Sequence, residues 1–163
     1  NSFIEIHMEK NIIGIDEVMK VELTEKLNDL LANYQLYYQN LRGFHWNIKG
    51  RDFFELHVKF EELYNAAALA IDEIAERILT LDHIPMHSFS NYVNVSEIPE
   101  ATNVTKGVEC VRHIHNDLAI LLKKENSILK LAESADDQGT ADLMTRYLAE
   151  QEKLSWMLRS YLS

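Results

Sequence analysis

The sequence predicts an all-α four-helix bundle with one long crossover between its second and third helices. Three observations predict it. Glycine and proline number 5 and 2 in 163 residues, too few for the turns of an all-β sandwich or barrel. Four long stretches repeat apolar residues at spacings of three and four. The connection between the second and third stretches runs to roughly twenty residues, while the other two are short.

The first predicted helix runs from Glu17 to Asn47, with Leu23, Leu27, Leu30, Leu31, Tyr34, Tyr38 and Leu41 on its apolar stripe. Gly50 marks a tight break, and Asp52 is the expected N-cap of the second helix. That helix extends from Phe53 to Leu81 with the stripe Phe53, Leu56, Phe60, Leu63, Ala67, Ile71, Ile74, Ile78 and Leu81, and Pro85 ends it. The crossover closes at Pro99, and its Phe89, Tyr92 and Val95 suffice to dock a short helix. The third helix is predicted from Thr105 to Ala135 and the fourth from Thr140 to Leu162, with Gly139 punctuating between them. At 1.5 Å per residue each helix is ~35–45 Å long. One long crossover is the connectivity of ferritin-like bundles rather than of a simple up-down-up-down bundle. Residues 1–163 read as a single domain, with 1–16 an N-terminal extension.

Composition narrows the partners. Lys plus Arg is 16 and Asp plus Glu is 26, a formal net charge of −10. Such a balance opposes nonspecific binding to nucleic acid or to an anionic membrane and favours cations. The first ten residues lack the basic-then-apolar pattern of a signal peptide, and no apolar run is long enough to span a bilayer. One cysteine, Cys110, excludes an intrachain disulfide framework and any multi-cysteine metal site, and fits a reducing, cytoplasmic compartment.

The second helix carries a second pattern. With Phe53 at zero and 100° per residue, His57, Glu61, Asp72 and Glu76 fall at about 40°, 80°, 100° and 140°, well away from the core stripe. A polar face is ordinarily just solvated. Here Phe54, Val58, Ala68 and Leu69 share it, with Tyr64 near its edge, and a charged face with that much apolar surface reads as an interface. Glu61 and Asp72 are ~16 Å apart along a straight helix, so one helix cannot bring both pairs to one ion. An antiparallel copy related by a two-fold axis between Ala66 and Ala67 would set His57 opposite Glu76 and Glu61 opposite Asp72. That register yields two equivalent sites per isologous dimer, with small residues at the crossing. The short turn after the first helix could bring His45 near His57. Two imidazoles and three carboxylates suit Fe(II), Mn(II) or Zn(II).

These residues resemble the Dps family, the mini-ferritins. The resemblance rests on the stretch from His45-Trp46-Asn47 through Asp52-Phe53-Phe54-Glu55-Leu56-His57, then Phe60-Glu61-Glu62-Leu63-Tyr64, then Asp72-Glu73-Ile74-Ala75-Glu76-Arg77, and on the ending Glu152 to Leu158. It implies a four-helix bundle with a short helix in the crossover, assembled as a hollow dodecamer. It implies ferroxidase sites between two-fold related subunits, with His45, His57 and Glu61 from one and Asp72 and Glu76 from the other. Many members carry Asp at the position of Glu61, so this chain keeps the charge on a longer arm. Trp46 matches a tryptophan beside the site, and Arg77 an arginine that braces carboxylates. The implied chemistry is oxidation of Fe(II), preferably by hydrogen peroxide, at a two-metal site whose second position is weak, followed by storage of ferric mineral. Full-sized ferritins use Glu-x-x-His, and no glutamate here lies three residues before a histidine.

The resemblance also implies an acidic three-fold pore near the start of the fourth helix, for which Asp137 and Asp142 are the candidates; capping of that helix is the alternative for Asp137. Strong DNA binding is not expected, because Lys10 and Lys20 face Glu5, Glu9, Asp16 and Glu17 in the first twenty residues. A structural or DNA-protecting cage with a silent or non-iron site is the alternative function. His83 and His87 read as loop polars, His113 and His115 as structural or surface residues, Tyr34, Tyr37 and Tyr38 as packing, and Trp156 as core.

Overall fold

Asp16 opens the first helix by accepting hydrogen bonds from the backbone N–H groups of Val18 and Met19 at 3.0 and 3.2 Å. The computed structural model describes residues 12–163, so most of the expected N-terminal extension lies outside the described residues. Helix α1 runs Glu17–Asn47, α2 Phe53–Thr80, the short α3 Phe89–Val95, α4 Gly107–Ser134 and α5 Gln138–Leu162. Among the described residues there is no strand, only an isolated bridge between Lys49 and Lys106 that ties the α1–α2 turn to the start of α4. No helix among them is long and apolar enough to cross a membrane.

The predicted stripes face the core. Leu23, Leu27, Leu30, Leu31, Tyr34 and Leu41 of α1 are buried against Leu56, Phe60, Ala67, Ile74 and Ile78 of α2. Burial of this set supplies the main drive for folding, because isolated helices of such length are marginal in water. Three asparagines on α1 hold the crossover. Asn28 accepts from the Met86 N–H at 2.8 Å and donates to the Ile84 carbonyl at 3.1 Å. The buried Asn33 accepts from the N–H groups of Glu97 and Ile98 at 3.0 and 3.1 Å. Asn40 donates to the Pro99 carbonyl and accepts from the Ala101 N–H, both at 3.0 Å. Each pair satisfies loop backbone groups that helix geometry leaves free.

Three local expectations are corrected. Asp52 makes no side-chain cap; its Oδ2 instead accepts from the Tyr161 hydroxyl at 2.7 Å, linking the start of α2 to the end of α5. Gly139 does not punctuate but lies in the first turn of α5, and the reversal falls on Asp136, whose φ is 55°. Trp156 is 57% exposed rather than core, because its position on α5 turns away from the other helices.

The core holds two acids that apolar periodicity does not reveal. Glu125 on α4 is fully buried and accepts from the Tyr34 hydroxyl at 2.7 Å and from Gln151 Nε2 at 3.0 Å, both at Oε2. Gln151 also donates to the Tyr34 hydroxyl. Glu125 Oε1 and Gln151 Oε1 are buried without a partner among the described residues. Burial pushes the Glu125 carboxyl up to about 8, against the opposing pull of its Tyr34 and Gln151 hydrogen bonds. Asp117, which accepts from Asn40 at 3.2 Å, is likewise pushed by burial up to about 7.

The sign follows from proton linkage. The native state keeps a proton on Glu125 that the unfolded chain has already released, so the loss of stability begins near the ordinary carboxylate range and is complete once pH passes the raised value. Glu125→Gln stays neutral at every pH and can keep an acceptor oxygen for Tyr34 and Gln151. Its melting temperature should therefore fall less than the wild-type value between about pH 5 and pH 9, the remaining fall being that of Asp117, with a relative gain of about 2–5 kcal/mol at the alkaline end. Parallel declines in thermal melts across that range would refute the assignment.

Candidate metal centre

The turn between α1 and α2 brings two histidines together. Gly50 takes φ 107°, a left-handed conformation that glycine adopts without strain, and the chain returns antiparallel. His45, in the last turn of α1, and His57, early in α2, then stack with ring centroids 3.8 Å apart and planes 11° from parallel. His45 Nδ1 contacts the His57 carbonyl oxygen at 2.6 Å, and His57 Nδ1 contacts the His45 carbonyl oxygen at 2.8 Å. A carbonyl oxygen only accepts, so each Nδ1 carries the hydrogen, and the neutral tautomer this selects is the one with its lone pair on Nε2. Carbonyl groups that orient imidazoles in this way are the usual support of histidine metal ligands. The stack extends at both ends: Phe53 lies over the other face of His57 at 4.9 Å and 16°, and Tyr64 meets His45 edge-on at 5.3 Å and 75°.

Glu61, Asp72 and Glu76 are exposed on α2 and form no ion pair among the described residues. The Tyr64 hydroxyl lies 3.5 Å from Glu61 Oε1. Loss of solvation, then the charge of Glu61 and its hydrogen bond, raise the Tyr64 phenol above its ordinary value, so it keeps the hydrogen it would donate. Phe54 and Leu69 on the same helix are 79% and 67% exposed, and Val58 is also exposed. Trp46 is exposed beside His45, with the Arg42 guanidinium 4.8 Å from its ring centroid and 5.2 Å from that of Tyr38. Among the described residues no three His, Cys, Asp or Glu side chains of one chain gather closely enough to hold a metal.

Two expectations at the far end of α2 change. Arg77 braces a carboxylate, but that of Asp137: Nη2 to Oδ1 is 2.6 Å, and Nε donates to Thr140 Oγ1 at 2.9 Å. Asp137 takes the capping alternative, accepting from the Thr140 N–H at 3.0 Å, and it is buried. A carboxylate held by a cap and a guanidinium cannot line a pore, so Asp137 is withdrawn from that role. Asp142 is exposed and accepts from Gln138 Nε2 at 2.6 Å, which leaves it as the pore candidate. The remaining described histidines stand apart. Nδ1 of His83 and of His87 contacts a local carbonyl at 2.9 and 3.0 Å. His113 packs near Phe44, and His115 pairs with Ser155.

Sequence reasoning missed the ring partners of the imidazoles. Phe53 is four residues before His57, and Tyr64 is three after Glu61, spacings that place each beside a ligand on a helix. That spacing was the available signal.

A ferritin-like domain family model matches residues 24–163. The structure resembles that of a Dps protein from Vibrio cholerae O1, described as a member of a broad superfamily of ferritin-like diiron-carboxylate proteins. The TM-score is 0.92 at 50% identity, covering 94% of this chain and 96% of that one. An uncharacterized protein of Haemophilus influenzae is 48% identical over 94% of this chain and 96% of its own length. A DNA protection during starvation protein of Porphyromonas gingivalis is 42% identical over 92% of this chain and 94% of its own.

Gly139 explains how Arg77 reaches Asp137. A Cβ there would fall 2.7 Å from Arg77 Nη1, inside van der Waals contact. Gly139→Ala should displace the guanidinium from Asp137 and lower stability by about 1–3 kcal/mol despite the better helix propensity of alanine. Denaturant titration measures it, and an unchanged or raised midpoint would contradict the clamp.

Proposed function

The chain belongs to the Dps family of ferritin-like proteins, and on that footing we propose that it oxidises Fe(II) with hydrogen peroxide and stores the ferric product within a hollow dodecamer. The observation that carries this reading is the locked His45–His57 pair, whose Nδ1 atoms are both committed to backbone carbonyls, with Glu61 one helical turn beyond His57 on α2. The diiron-carboxylate description of the Vibrio cholerae relative supports it.

Iron is the substrate. The donors offered are imidazole nitrogen and carboxylate oxygen without thiolate, a set suited to Fe(II). His45, His57 and Glu61 of one subunit would bind it together with Asp72 of the partner subunit and Glu76 of the partner subunit. Exposed Phe54, Val58, Leu69 and Trp46 would be covered by the same contact, which explains apolar surface on a charged helix face. Two Fe(II) ions each give one electron to one peroxide molecule. Its O–O bond breaks and two protons complete two waters, so no hydroxyl radical is released. The carboxylates favour the product because they offset the extra positive charge of Fe(III) in a site sheltered from water. A second iron, left with few protein donors, would be held weakly. Asp142 would attract incoming cations, as an exposed carboxylate at a pore does.

Subunit mixing tests the shared site. His45→Ala/His57→Ala and Asp72→Ala/Glu76→Ala should each abolish peroxide-driven Fe(II) oxidation. Unfolded together in equal amounts and reassembled, they should recover about one quarter of wild-type activity, because half of random dimers are hybrid and each hybrid has one intact site of two. Recovery of nothing, with size exclusion showing assemblies near twelve times 18.9 kDa, would place the donors within one subunit or outside the reaction.

DNA coating is a weaker reading for this chain. The net charge is −10, and the first twenty residues hold two lysines against four acids. Stoichiometric protein should leave supercoiled plasmid unshifted at neutral pH and moderate salt. Retardation on a gel under those conditions would restore DNA binding to its role.

A further inference from the structure

We propose that Tyr64 is a positioning residue of this centre: its hydroxyl steers the long Glu61 arm toward the imidazole pair, and its ring sets the angle of His45. The inference rests on the metal-site reading and deepens it. Glu61 is exposed and carries one more rotatable bond than an aspartate, so its carboxylate has freedom that must be lost before it can ligate. Something has to guide it. No basic side chain pairs with Glu61 among the described residues, and Arg77 is committed to Asp137. The Tyr64 hydroxyl is the one polar side chain within hydrogen-bond range of Glu61 there, at 3.5 Å from Oε1. That contact is long, as such contacts often are before a ligand binds, and it lies one helical turn along the same face.

The same ring touches the first histidine. The Tyr64 and His45 rings meet edge-on at 5.3 Å and 75°, and Tyr64 also packs against Tyr38 at 6.0 Å and 68°. Tyr38 in turn carries the Arg42 guanidinium 5.2 Å from its centroid. Tyr64 therefore has ring contacts with both His45 and Tyr38. One side chain meets a nitrogen ligand with its ring and an oxygen ligand with its hydroxyl. Phe53 closes the other end of the stack but has no polar group, so it can orient His57 and nothing more.

A double-mutant cycle separates steering from mere packing. Assembled wild type, Tyr64→Phe, Glu61→Asp and the double variant are titrated with Co(II) and no oxidant, reading visible absorption and calorimetry. Tyr64→Phe keeps the ring and should weaken Co(II) binding about tenfold. In the Glu61→Asp background the same change should have almost no effect, because the shorter arm does not need the hydroxyl. An unchanged affinity in Tyr64→Phe, or an equal loss in both backgrounds, would overturn the proposal. Tyr64→Leu should weaken binding further and shift the His45 ring resonances in NMR spectra, and silence there would remove the ring's part. His45→Ala is the control for the parent reading. If it leaves Co(II) binding intact, the centre itself is misplaced and this inference falls with it, a result distinct from a failed cycle.

Discussion

Backbone carbonyls accept hydrogen bonds and never donate them, and at the α1–α2 turn two of them face two imidazoles. Each histidine hands its Nδ1 hydrogen to the other's carbonyl, at 2.6 and 2.8 Å. The consequence is chemical as well as structural. Neither ring can choose the other neutral tautomer without losing its bond to a carbonyl. Nε2 is thereby the nitrogen of each ring that stays available to a cation. The lock needs the turn to be short and Gly50 to be left-handed, and Phe44 and Phe60 pack together between the same two helices at 6.1 Å. Features of the turn that look like ordinary chain reversal thus decide the chemistry of the site.

The same first helix also disciplines the long crossover. Asn28, Asn33 and Asn40 point three side-chain amides at loop backbone, so a segment with little regular structure has its hydrogen bonds met by a rigid element. Lys124 adds ion pairs to Asp29 at 2.6 Å and Glu97 at 3.0 Å, both at least partly open to solvent and so modest in worth. A crossover fixed in this manner keeps α3 beside α1, next to the surface that carries Tyr38 and Arg42.

How much of this could be read from the chain depends on how local each signal is. Helix spans and the core stripe follow from a period of three to four, and they fell within two residues of the observed ends. The polar set on α2 was legible because four residues share one face of one helix. His45 needed only a five-residue turn to reach it. Asp137 was not decidable in the same way. Whether it faces a pore or a cap is settled by Arg77, sixty positions earlier, and no local pattern encodes that pairing. Glu125 looked like any charged residue on a helix, and its burial depends on Tyr34 and Gln151 from two other helices. Trp156 misled for the opposite reason. Large aromatic residues are so often interior that composition outweighs the missing stripe.

Comparing the two sets of carboxylates shows why the surface, and not the bundle interior, is the better place for this chemistry. Glu125 and Asp117 are inside, where lost solvation drives them up to about 8 and about 7. A carboxyl that holds its proton at neutral pH must give it up before it can ligate, and that competition weakens metal binding. Glu61, Asp72 and Glu76 stand in water on the free chain. Their solvation is lost only when a second helix covers them, and in the proposed arrangement cation charge replaces it at the same moment. Charged groups buried with a partner cost far less than charged groups buried alone. An interface can therefore gather acids that a single fold would have to neutralise. The exposed Phe54 and Leu69 on the same helix provide an apolar drive for the contact that the acids by themselves would oppose.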